Sequence, residues 1–170
     1  MTIYPLKDIL LSVADKKGNK RTLFNLGALG GINTNLVKLF LLALPFIEYA
    51  LIFNPTVFNY LGIATAIVFF IVFLSIVMLI VFFTVWSVKK SVIKKITPSW
   101  NTYFEDKDLL MVLSSGVTPY SDFFKHYSAL LKENLSEEEM YKRLIKAFAE
   151  MEEENKDLIS AMNRNNKLEE

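Results

Sequence analysis

The sequence predicts an all-α membrane protein: a two-span transmembrane helical hairpin with a cytoplasmic helical C-terminal domain. Three observations predict it. First, Glu48 is the one charged residue between Leu39 and Val88, while the other thirty-six charges of the 170-residue chain lie outside that stretch. Second, the chain is 52% hydrophobic although 22% of it is charged, so the two classes are segregated rather than mixed, as in a membrane segment flanked by water-exposed parts. Third, apolar residues beyond Pro98 return at helical spacing among charges.

Residues 1–35 form an N-terminal cytoplasmic segment. Ile9–Val13 and Thr22–Leu26 flank Asp15-Lys16-Lys17-Gly18-Asn19-Lys20, and two short β-prone runs around a Gly-Asn turn predict a β-hairpin. The run Ile9–Ala14 is too short and wrongly flanked for a signal peptide.

The membrane block covers 36–88, as spans 36–53 and 61–88. The fifteen residues Leu39–Phe53 make about 22 Å of helix, short of a hydrocarbon core of about 30 Å. They span only if Leu36 and Val37 join them and Lys38 snorkels outward; a re-entrant or surface helix is the alternative. Asn54-Pro55-Thr56 breaks the chain. Leu61–Val88 is uncharged and long enough to cross, or to run on as a cytoplasmic helix, with Trp86 as an interfacial aromatic. Gly62 and Ala66 form a small-xxx-small pair that permits close helix approach or closes the hairpin.

Residues 89–103 are a basic juxtamembrane linker carrying Lys89, Lys90, Lys94 and Lys95 and no acid. Residues 1–38 are basic too, whereas the connection Asn54–Tyr60 is uncharged, so the positive-inside rule puts both termini in the cytoplasm. The four lysines read as topogenic charge that also attracts anionic lipid head groups, by about 1 kcal/mol per cation near the surface. Without interleaved aromatics they do not resemble a nucleic-acid surface.

Residues 104–170 form the cytoplasmic helical domain, with nine basic residues against fifteen acidic ones. A short helix is expected over Glu105–Ser114, ended by Gly116. Thr118-Pro119 reads as N-cap and first position of a helix Pro119–Asn134, with Tyr120, Phe123, Phe124, Tyr127, Leu130 and Leu131 on one face. Ser136 and Glu139 form a capping box opening a helix to about Met162, and Asn163–Glu170 are expected to fray. The seam Leu144, Phe148, Met151, Asn155, Leu158, Met162 has heptad spacing. It either zips copies or a partner helix together as a coiled coil, with Asn155 setting the register, or packs on Tyr120–Leu131 of the same subunit.

No catalytic constellation is visible, and no enzyme activity is expected. With no cysteine, disulfides, thiolate metal sites and cysteine nucleophiles are excluded. His126 has no spaced acidic or cysteine partners for a metal, and reads as a packed or surface histidine. Ser114-Ser115-Gly116 lacks the Gly-x-Ser-x-Gly pattern. The runs Glu137–Glu139 and Glu152–Glu154 suit helix-start charge and a solvated face. Neither cofactor nor metal is expected. Glu48 stands apart: ten residues of helix place it about 15 Å beyond Lys38, where an ionisable group costs at least about 2.5 kcal/mol unless paired, hydrated or protonated. It is either an ion or proton site, or a side chain that reaches the far interface.

Leu109–Phe124, LLMVLSSGVTPYSDFF, resembles the opening of the cytoplasmic helical domain of inner-membrane platform proteins of type II secretion and type IV pilus assembly. In that family a first helix leads through a small-Gly-Val/Leu-x-Pro-like turn to a second amphipathic helix; Ser115-Gly116-Val117-Thr118-Pro119 matches the turn. The family normally has two such domains and a further span, and this sequence has neither. The resemblance implies a structural role, docking a cytoplasmic motor and a filament or substrate subunit.

The expected function is therefore a non-enzymatic scaffold or anchoring subunit of a membrane assembly, in a bacterial inner membrane. Its partners would be membrane lipids and other subunits or further copies of itself, with no nucleic acid. The alternative is a homo-oligomeric ion- or proton-conducting pore or stator subunit using Glu48.

Overall fold

The computed structural model describes residues 3–133 and 135–166, and these are helical with no strand among them. The helices are α1 (Leu6–Val13), α2 (Thr34–Ile52), α3 (Pro55–Tyr103), α4 (Leu109–Leu113), α5 (Phe123–Leu130), α6 (Glu137–Glu154) and α7 (Lys156–Asn166). The chain divides into two compact units: Met1–Thr22 with Ile93–Glu170, and Leu23–Val92.

The first unit corrects the expected β-hairpin. Leu6, Ile9, Leu10 and Val13 repeat at helical spacing, and α1 buries that whole face. What remains of the hairpin is a single antiparallel bridge between Ala14 and Lys20. The turn itself lies where expected: Gly18 has φ +84°, and a Cβ there would sit 2.5 Å from the Cα of Ser128. Lys20 Nζ donates to the carbonyl of Leu113 and to Ser115 Oγ. This N-terminal stretch, expected as a separate segment, is thereby packed into the helical unit.

The segment 89–103, expected as a linker, is helical throughout. Ile96, Ser99 and Trp100, near the end of α3, are buried. Tyr4 N donates to Ser99 Oγ at 2.9 Å, and Trp100 Nε1 donates to the carbonyl of Lys107 at 2.7 Å. The core of this unit is aromatic. Phe148 lies at ring distances of 5.2–6.2 Å from Phe104, Tyr120, Phe123 and Trp100.

The later helices are shorter than the periodicity suggests. Asp108, not Glu105, starts α4, accepting from Leu110 N at 2.9 Å. Thr118-Pro119 does not open α5, whose N-cap is Asp122; Thr118 Oγ1 donates instead to the carbonyl of Met111. Asn134, the expected end of that helix, lies outside the described residues. The Ser136–Glu139 capping box forms as expected. The long helix breaks at Asn155, which has φ −110° and ψ 26°, and α7 follows from Lys156 to Asn166. Of the tail expected to fray, residues 163–166 are helical and 167–170 lie outside the described residues.

Two helices are long and apolar enough to cross a membrane, and the second unit holds α2 and the apolar part of α3. α2 begins at Thr34, so Leu36 and Val37 do join it, and its 19 residues span about 28 Å. Asn33 caps it by accepting from Asn35 N, and Pro45 sits inside it. Asn54 caps α3 by accepting from Thr56 N at 3.0 Å, with Pro55 at the first helical position. Next to this short connection the rings of Tyr49 and Phe53 meet Phe70 at 6.2 and 5.9 Å. Gly62 interrupts α3 with φ 72° and ψ 162°. A Cβ at Gly62 would meet nothing within 4 Å, so glycine serves the backbone angle there and not a close helix approach.

Candidate functional site

In the unit Leu23–Val92, Glu48 lies on the α2 face that carries the less exposed positions Val37, Leu41, Leu44 and Ile52. Both its carboxyl oxygens are buried, and neither has a hydrogen-bond partner. It is the one acid of residues 23–92, whose cations are Lys38, Lys89 and Lys90.

Lys89 and Lys90 are exposed at the end of the uncharged run, and Lys90 Nζ sits 5.2 Å from the Trp86 ring centroid. Lys94 and Lys95, which belong to the other unit, are exposed too.

In the first unit, the heptad seam divides. Leu144, Phe148 and Met151 are buried at 0–1% exposure against the unit's own aromatic core. Asn155 Nδ2 donates to the carbonyls of Pro119 (3.2 Å) and Met151 (2.8 Å), so its amide closes the end of α6 within the chain. Leu158 and Met162 are half-buried on α7. The interior half of the seam therefore packs within the chain, as the second sequence reading has it.

A groove of about 590 Å³ was not foreseen. Met111, Pro119, Ile159 and Met162 supply its apolar surface, and Asp106 and Asp108 lie among its acidic residues. Its polar centre is Glu152, whose Oε1 receives Tyr120 Oη at 2.6 Å and Lys107 Nζ at 2.5 Å. Burial pushes the Glu152 carboxyl up, but the hydrogen bonds and the Lys107 charge outweigh it and hold it below the usual range. Burial and the same carboxylate push the Tyr120 hydroxyl well up. The signal for this groove in the sequence is faint: its residues come from three separate stretches.

His126 is half-buried beside Arg143, Lys146 and Glu150. Ser114 Oγ accepts from Gly116 N at 3.0 Å, a local turn bond. Glu139 belongs to the capping box, Glu138 pairs with Lys142 at 2.7 Å, and Glu153 pairs with Lys156. Among the described residues no three His, Asp or Glu side chains are grouped to hold a metal.

No protein-family model, no curated protein and no solved structure matches this chain.

Proposed function

We propose that the protein is an integral-membrane anchoring subunit of a larger assembly, without catalytic activity of its own. Its apolar helices form a two-span hairpin, and its helical domain and both termini face the cytoplasm of a bacterium. One observation carries this reading. Only 6% and 11% of the most apolar windows of α2 and α3 are buried within the protein, and Leu42, Phe46, Met78 and Phe82 are 65–70% exposed. Core helices of a water-soluble protein bury such side chains; exposed over two whole helices, they match a lipid environment. The lysines at 89–95 against an uncharged connection support the orientation.

The groove beside Glu152 supports partner docking in the cytoplasm, because it combines methionine-rich apolar surface with acids. The resemblance of Leu109–Phe124 to secretion and pilus platform proteins supports a secretion or pilus machine as that assembly.

The natural absence of cysteine makes the test direct. Single cysteines placed by Lys16→Cys, Asn59→Cys and Glu153→Cys are exposed to an impermeant maleimide in intact cells. Labelling at position 59 alone supports the hairpin, and labelling at 16 or 153 defeats it. A mild-detergent pull-down then tests the assembly: Ile159→Glu with Met162→Glu is expected to release a partner that the unaltered chain retains.

The orphaned carboxyl of Glu48 favours a second reading, a homo-oligomeric ion- or proton-conducting subunit. On that reading Glu48→Gln abolishes flux in liposomes while the oligomer persists; unchanged flux removes it.

A further inference from the structure

Residues 23–37 and the segment Thr84–Val88 enclose a slot of about 130 Å³ within the unit Leu23–Val92. Phe24, Leu26, Val37, Thr84 and Val88 line it, so its wall is almost wholly apolar. One side is pinned rather than loose. Thr34 Oγ1 donates to the carbonyl of Phe24 at 2.9 Å, and Asn25 Oδ1 accepts from Gly27 N at 3.0 Å.

Two lining residues are each followed directly by a lysine: Val37 by Lys38, and Val88 by Lys89 and then Lys90. All three lysines are exposed. The one acid of this unit, Glu48, lies about 15 Å along α2 from Lys38, too far to neutralise it. The slot therefore lies one residue from Lys38 on α2 and one residue from Lys89 on α3, at the last turn of the uncharged part of α3.

We infer that this slot binds one anionic phospholipid, with the upper acyl chain against Phe24, Val37 and Thr84 and the phosphate at Lys38 and Lys89. The inference rests on the membrane reading above. The slot holds about four methylene-sized groups, taking about 30 Å³ for each as for water, which suits part of one chain. Charge complementarity selects the head group, as basic pockets between membrane helices do for anionic lipids. A zwitterionic lipid would place its own cation among the lysines and lose that attraction.

The test uses the full chain in a neutral detergent, titrated with phosphatidylglycerol or phosphatidylcholine and read by native mass spectrometry. One phosphatidylglycerol is expected to stay bound in preference to phosphatidylcholine. Lys38→Gln with Lys89→Gln is expected to lower that preference by about fivefold per lysine. Lys94→Gln with Lys95→Gln, away from the slot, is expected to leave it unchanged. Thr84→Phe fills the slot and is expected to reduce retention of both lipids. Equal retention of the two lipids overturns the inference, as does an equal loss in both lysine pairs, which would mean diffuse charge attraction. A chain that stays in water without detergent and ignores vesicles defeats the membrane reading instead.

Discussion

Tyr120 and Lys107 converge on one oxygen of Glu152, at 2.6 and 2.5 Å, across 32 and 45 residues of sequence. The carboxylate joins the α4 approach, the turn before α5 and α6 through a single acceptor. Tyr120→Phe is expected to destabilise the helical unit by about 1.5–3 kcal/mol, since the bond goes to a charged group. Urea unfolding followed by far-ultraviolet circular dichroism measures it.

The same contact sets an acid limit. Glu152 is held below its ordinary value of 4.5 in the fold, so the stability it contributes is fully present above that pH. It is lost as pH falls through the lower folded value. Lys107→Met is expected to flatten this part of the stability profile, measured as urea midpoints between pH 2 and pH 6.

At the alkaline end, burial pushes the Tyr127 hydroxyl from 10.0 up to about 12. A raised group contributes stability that is intact below the unfolded value and lost as pH rises through the folded one. The helical unit is therefore expected to weaken from about pH 10 to about pH 12. Tyr127→Phe is expected to remove part of that slope, read from the same urea midpoints.

Phe148 is fully buried among Trp100, Phe104, Tyr120 and Phe123. Phe148→Ala is expected to cost about 3–5 kcal/mol, with Trp100 fluorescence reporting the loss. If the seam instead served a coiled coil, the variant would change the mass of the oligomer and leave unfolding of the unit nearly unmoved. Sedimentation beside the unfolding curve separates the two.

Glu48 presents the opposite case, a buried carboxyl without a donor. Glu48→Leu removes the unsatisfied group and is expected to stabilise the unit Leu23–Val92 by about 1–3 kcal/mol. Trp86 fluorescence during denaturation in mixed detergent micelles measures it. A fall in stability would mean that another chain supplies the missing donor.

Gly18 is legible as a turn, but its consequence is not. Any side chain there meets Ser128, 110 positions away, and the positive φ alone costs a non-glycine residue about 1–2 kcal/mol. Leu6–Val13 shows the same limit. Its short apolar run suits a strand or a helix equally well, and burial of the Leu6–Ile9–Val13 face decides for the helix.

The sequence by itself determined the predominantly helical character, the two long apolar helices, their punctuation at Asn54-Pro55 and the capping box at Ser136. Each follows from hydropathy, caps or proline within a few residues, where the physics is local. Only the tertiary structure decided that Leu144, Phe148 and Met151 turn inward, that Glu152 gathers two donors, and that residues 23–37 and 84–88 share a slot. A helical face has the same spacing whether its own chain or another covers it, so the spacing leaves the occupant open. The contacts at Phe148 and Glu152 that decide it join residues 25 to 48 positions apart, and they exist only once the chain has folded.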